Sequence, residues 1–356
     1  MGIIRKTLVL ALILMVSISS VALLTAESAN AQTFESITIK DDGSFVPPTA
    51  SLTKTGNVYK LTADIFGNIK VEKFGIVLDG AGFSLRGNNS GIGIQIFNPN
   101  NTTPIDSFDV TIKNFKINGF DQGIDVLGYW GDTISGVSIE GNNIANNSIG
   151  VFFSSYSRYS NNVIIGNIIA GNNQGIALQM GHVGDESGNV ISFNQIAQNQ
   201  VGMYFLWMGD YYGWKPDPFQ MNNRIYSNNF IDNNQNVVNG HVIYDPDCAN
   251  VWDNGFKGNY WSDYNSTDSN NDGVADGNYT IDSNNIDRYP LMSPVVDSPI
   301  PALTVPPTAS PFPSTDRNAP HLDLIYYLLP FSVIVLSFLL SVLIYRRHRK
   351  TVNLSK

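Results

Sequence analysis

Two groups of residues have the types and spacing to do chemistry. The first is Asp268-x-Asn270-x-Asp272-Gly273-Val274-x-Asp276. Oxygen ligands at alternate positions, a glycine at the sharp turn and the carbonyl of Val274 have the spacing of a calcium loop. The twelfth position, where such loops carry a bidentate Glu, is Tyr279, so Asp263 or Asp282 would have to complete the shell. An Asx-turn loop bound only to water fits the same residues, and both readings stay open. Bound calcium would pin this loop as a cap rather than take part in a reaction.

The second group is aromatic and acidic. Tyr129 and Trp130, Tyr156 and Tyr159, then Trp207, Tyr211, Tyr212, Trp214 and Phe219 lie among Asp132, Arg158, His182, Asp185, Glu186, Asp210, Lys215 and Asp217. Sugar rings pack their C–H faces on aromatic planes while their hydroxyls bond to Asp, Glu and Asn. A lyase would need a base beside carboxylates that neutralise a uronate, and a hydrolase two carboxylates about 5 to 10 Å apart. Asp185, Glu186, Asp210 and Asp217 are the candidates, and none sits in a motif that specifies a reaction. Loop aromatics folded back over the body, with solvated acids between them, fit equally well.

To act together, residues spread over this length need an element that returns the chain repeatedly to one side. A repeat does this. With Gly91, Gly123, Gly150, Gly175, Gly202 and Asn236 as origins, the steps are 32, 27, 25, 27 and 34 residues. One residue after each origin comes Ile92, Ile124, Val151, Ile176, Met203 and Val237. Three after stands Ile94, Val126, Phe153, Leu178 and Phe205, with an unrestricted residue between. This is strand patterning with one face inward. Six before the origin stands Leu85, Ile117, Ile144, Ile169, Ile196 and Phe230; eleven before it, from the second copy on, Ile112, Ile139, Ile164, Ile191 and Ile225. Asparagine fills two further rows, Asn142, Asn167, Asn194, Asn228 and Asn147, Asn172, Asn199, Asn233. Stacked amides can bond in ladders and tolerate tight corners. The pattern predicts an all-β, right-handed parallel β-helix, with the aromatic loops aligned on one side.

At about 25 residues per turn, Gln32 to Met292 has room for roughly nine or ten coils with caps. Residues 1–31, with Arg5, Lys6, an apolar run from Leu8 to Leu24 and Ala29-Asn30-Ala31, read as a secretory signal peptide. Residues 32–90 read as an N-terminal cap running into the first coils, 91–257 as repeats and 258–292 as a C-terminal cap. A Pro/Ser/Thr-rich stalk over 293–321 leads into a transmembrane segment at 322–345, whose stretch Leu324 to Tyr345 has 22 uncharged residues, and then a basic tail at 346–356. The basic tail places the C-terminus in the cytoplasm and the signal peptide places the repeats outside, a type I topology. A sorting signal that is later cut off would look similar.

Between Gln32 and Pro320 there are 28 Asp and Glu against 14 Lys and Arg, a net charge of −14 that excludes nucleic acid as a natural partner. Cys248 is the single cysteine, so no intrachain disulfide stabilises the domain. Six sequons outside the basic tail begin at Asn88, Asn100, Asn101, Asn146, Asn265 and Asn278.

Beyond the repeats, Gly258-Asn-Tyr-Trp-Ser-Asp-Tyr264 and Asp287-Arg-Tyr-Pro-Leu-Met292 resemble the C-terminal signature of NosD-like, CASH-type right-handed β-helix surface proteins. The repeats resemble that family from about Gly91 to Asn239. The resemblance implies an extracellular or periplasmic β-helix of a class associated with copper-site maturation or with carbohydrate, and no settled activity. It implies copper, whose ligands would come from Met180, His182, Met203, Met208, His241, Cys248 and His321; methionines that fill core gaps are the plainer reading. The expected protein is a membrane-anchored β-helix that is surface-structural or binds polysaccharide. The alternatives are a polysaccharide lyase or glycoside hydrolase, and a copper-handling protein.

Overall fold

The computed structural model describes residues 33–296 except 101–102, 130, 156–157, 181–187, 208–219 and 242–248. The segments expected to be a signal peptide, most of a stalk, a transmembrane span and a basic tail lie outside the described residues. Among these residues no helix is long and apolar enough to cross a membrane.

The chain winds through three faces. In the coil that starts at Val110, the strand Val110–Lys113 lies on one face, Lys116–Asn118 on the next and Gln122–Gly128 on the third, after which the chain returns to the first face at Ser138–Glu140. The third face carries the long strands: Glu35–Ile39, Ile65–Val71, Ile92–Phe97, Gln122–Gly128, Ile149–Ser155, Gln174–Met180, Val201–Trp207 and Gln235–His241. Its eight strands pair in parallel, and so do the strands of the other two faces apart from antiparallel pieces at the N-terminus. The described residues therefore make eight rungs. The chain after Trp261 forms a cap, and several return loops are long. Ile65–Val71 bends between faces, pairing with Ser84–Arg86 at its start and with Ile92–Phe97 at its end.

The apolar rows coincide with the pairing register. Ile124, Val151, Ile176, Met203 and Val237 are direct partners, as are Val126, Phe153, Leu178 and Phe205. On the neighbouring faces the columns are Leu85, Ile117, Ile144, Ile169, Ile196, Phe230, Trp261 and Ile112, Ile139, Ile164, Ile191, Ile225. All but Val237 are buried in one continuous core.

One origin needs correction. Ile94 pairs with Ile124 and Ile96 with Val126, so the first copy begins at Gly93, not Gly91. A slip of two residues keeps the same face inward, which is why the pattern at Gly91 looks sound. The displacement comes from the turn after Arg86, which is two residues longer than its counterparts. The true column is Gly93, Gly123, Gly150, Gly175, Gly202. A Cβ on each would stand 2.6 to 2.7 Å from the carbonyl oxygen of the next residue in the column. Only hydrogen fits there.

The asparagine ladders are complete amide circuits. Asn167 Oδ1 accepts from the backbone N–H (2.9 Å) and Nδ2 (3.0 Å) of Asn142, while its own Nδ2 donates to Ile139 O (2.8 Å) and Asn194 Oδ1 (2.9 Å). The same wiring runs through Asn194, Asn228 and Asn259, and in parallel through Asn147, Asn172, Asn199 and Asn233. Buried amides with every atom bonded add to stability instead of costing it. At the N-terminal end each ladder stops on a phenylalanine, whose backbone N–H still bonds: Phe115 to Asn142 and Phe120 to Asn147. A third ladder runs through Asn162, Asn189, Asn223 and Asn250, thirteen residues before each origin for its first three members.

Candidate functional site

The Asp/Asn-rich loop closes on itself. Asp268 accepts from the backbone N–H of Asp272 (3.2 Å) and Gly273 (2.9 Å), Asn270 Oδ1 from Asp272 N–H (3.2 Å), and Asp272 Oδ1 from Val274 N–H (2.9 Å). Asp276 accepts from the hydroxyls of Ser269 (2.7 Å) and Thr267 (2.8 Å), and these bonds, that of Ser269 foremost, hold its carboxyl below the usual range. Asp263 takes Asn236 Nδ2 (2.9 Å) and Tyr279 Oη (3.2 Å), and Asp282 takes Asn239 and Asn285. Of the proposed ligands Asp268, Asn270, Asp272, Val274 and Asp276, Asn270 and Asp272 form Asx turns and Asp268 and Asp276 accept from within the loop, so calcium is not supported. Among the described residues no three His, Cys, Asp or Glu group as metal ligands.

The C-terminal signature works as a plug. Trp261 stacks on Phe230 (4.3 Å between centroids, 10°) and on Tyr279 (4.1 Å, 9°), and Trp252 leans against it. Burial pushes the Tyr279 hydroxyl up to about 12. Asp287 ends the asparagine ladder: its Oδ2 accepts from Asn259 N–H (2.7 Å) and Trp261 Nε1 (2.9 Å), and its Oδ1 from Tyr289 N–H (3.0 Å). It is fully buried, and desolvation raises it to about 6 despite those donors. Arg288 forks onto Asp253 (2.8 and 2.9 Å). Gly258 lies where any Cβ would enter the Asp287 carboxylate.

Of the aromatic candidates, Tyr159 is corrected. It lies in the core, 1% exposed and tilted against Phe153, because its short strand pairs with Thr133–Ser135 and turns Tyr159 and Ile134 inward. Tyr129 is half-buried, and its N–H bonds to Asp132 Oδ2 (2.9 Å). Asp132 is buried and also accepts from Asn98 Nδ2 and Ile105 N–H, both at 3.0 Å, so it braces the loop rather than facing a ligand. Trp207 is placed in its strand opposite Met180 and His241, but its side chain lies outside the described residues, as do Trp130, Tyr156, Tyr211, Tyr212, Trp214 and the acids Asp185, Glu186, Asp210 and Asp217.

The described surface closest to a binding site is the exterior of the long-strand face. Gln95, Asp125, Phe152, Ala177, Tyr204 and Val238 form one in-register row on it, and Leu127, Ser154 and Gln179 a second. The rings of Phe152 and Tyr204 are partly exposed. Asp125 is 3% exposed, with Oδ2 accepting from Gln95 Nε2 (3.0 Å) and Oδ1 from Ser154 Oγ (2.7 Å); burial raises its carboxyl. These outward positions alternate with the inward rows, and that alternation was the signal by which they could have been found.

The family model described as "Periplasmic copper-binding protein (NosD)" matches residues 62–266. No curated protein matches. Among solved structures, the chain is similar to the periplasmic alginate epimerase AlgG at 16% identity and a TM-score of 0.32, covering 53% of this chain and half the length of that one. Of the copper-ligand set, Met203 is fully buried between Ile176 and Val237, and the side chains of Met180, His182, Met208, His241, Cys248 and His321 lie outside the described residues. Sequence match over more than half of the chain, across the coils and ladders set out above, makes it a member of the NosD family.

Proposed function

We propose that this protein is exported, held at the membrane by its C-terminal segment, and binds polysaccharide along the exterior of its long-strand face without cleaving it. The observation that carries this reading is the outward row from Gln95 to Val238, in which Phe152 and Tyr204 stand two coils apart among amide and hydroxyl side chains. Successive rungs are about 4.8 Å apart, comparable to the length of one sugar unit, so a linear glycan along the axis meets the same chemistry at every step. Aromatic rings take the apolar sugar faces and the amides take hydroxyls. The family's periplasmic character agrees with an extracellular site.

Affinity electrophoresis of the full-length chain in polysaccharide gels, with a parallel assay for new chain ends, tests this. Retention should fall about tenfold in Phe152→Ala and in Tyr204→Ala, with no chain ends released. Chain-end release by the wild type would make the protein an enzyme and overturn the non-catalytic reading.

A further inference from the structure

The rim of the same face carries a second periodicity. At the residue before the glycine column, Ile92, Gln122, Ile149, Gln174, Val201 and Gln235 are direct register partners from coil to coil. Aliphatic and carboxamide side chains thus alternate strictly over six rungs. They are partly exposed, Gln235 most and Gln122 with its amide oxygen buried: the glycine that follows is skipped in the pairing and turns inward together with the residue after it, so the residue before it points out with the +2 row. The repeat along the axis is two rungs, about 9.6 Å.

The face is also close to uncharged. Among the described residues of its strands, the charged groups are Glu35 and Lys70, at the N-terminal end, and Asp125, which is shielded and bonded to Gln95 and Ser154. A polymer with a carboxylate or sulfate on each unit would lose water at every rung and meet no cation in return.

Resting on the polysaccharide-binding reading, we infer that the ligand is a neutral glycan in a two-fold ribbon, such as a β-1,4-linked glucan or mannan. In such a chain alternate units are turned over, so a given hydroxyl edge faces the protein every second unit, at the spacing of Gln122, Gln174 and Gln235. The units between turn their opposite edge, with the C6 methylene, to Ile92, Ile149 and Val201.

Titration calorimetry of the full-length chain with cellohexaose, mannohexaose, maltohexaose and hexagalacturonate tests this. One of the two β-1,4 neutral hexamers should bind at least tenfold more tightly than maltohexaose and hexagalacturonate, with an affinity unchanged between 50 and 500 mM salt. Replacing Gln122 and Gln174 by Leu should cost about tenfold in that affinity, with circular dichroism and melting temperature unchanged. Preference for hexagalacturonate, equal binding of maltohexaose, or full affinity in the double variant would overturn the neutral two-fold ribbon while leaving polysaccharide binding in place. Binding of none of the four, together with no retention in polysaccharide gels, would remove the underlying reading itself.

Discussion

Single side chains set the register of this protein. Asn194 accepts from two groups of Asn167 and donates to Ile164 O, Ser192 O and Asn228 Oδ1. Asn194→Ala leaves several buried groups without partners, at about 1–3 kcal/mol each, so a loss of roughly 3 kcal/mol or more is expected in denaturant melts. Asp287 carries a pH dependence. Its carboxyl lies at about 6 in the folded protein against 3.8 for the free side chain, because burial disfavours the charge. The folded state therefore holds this proton more tightly, and the stability it contributes is full below pH 3.8 and is lost as pH rises through about 6. A difference of that size corresponds to roughly 3 kcal/mol. Melting temperature should fall between pH 4 and 7 in the wild type. In Asp287→Asn, which continues the ladder with one more amide, this component of the slope should vanish.

At the scale of the element, each coil contributes the same few apolar side chains. Ile169→Ala removes a fully buried side chain packed between Ile144 and Ile196, and a loss of about 2–5 kcal/mol is expected from equilibrium unfolding. Trp261→Leu removes both ring stacks and the donor to Asp287, so the cap should loosen first, seen as early proteolysis after Lys257. The apolar columns and two of the three ladders were legible in the sequence because β-helix coils place like residues at like positions. The third ladder was not, since the glycine origin hides a row thirteen residues upstream. The Asp/Asn-rich loop was legible only as a loop of turns, because a calcium loop and a chain of Asx turns use the same residues at the same spacing. Tyr159 misled because a two-stranded patch in the return loop turns it inward, which neither its type nor its position signals.

The whole molecule has an acidic surface, a core without disulfides and two differently closed ends. The N-terminus ends in an antiparallel hairpin, Leu52–Thr55 with Val58–Leu61, and the C-terminus in the tryptophan plug. Truncation after Asn239 would remove that plug and leave Gln220–Tyr226 and Asn229–Ile231 as newly open edges; such a chain should aggregate, measurable by light scattering.

The column of glycines at Gly93, Gly123, Gly150, Gly175 and Gly202 has a consequence for ancestry. Each member meets the next through backbone alone, so any two coils are interchangeable partners at that seam. Excising the 25 residues 150–174 would seat Gly175 on Gly123 and bring Asn194 to Asn142 and Asn199 to Asn147, with every column intact. Lineages can therefore lengthen or shorten this protein by whole turns through unequal crossing-over, whereas loss of one residue inside a strand turns the inward side chains of that coil outward.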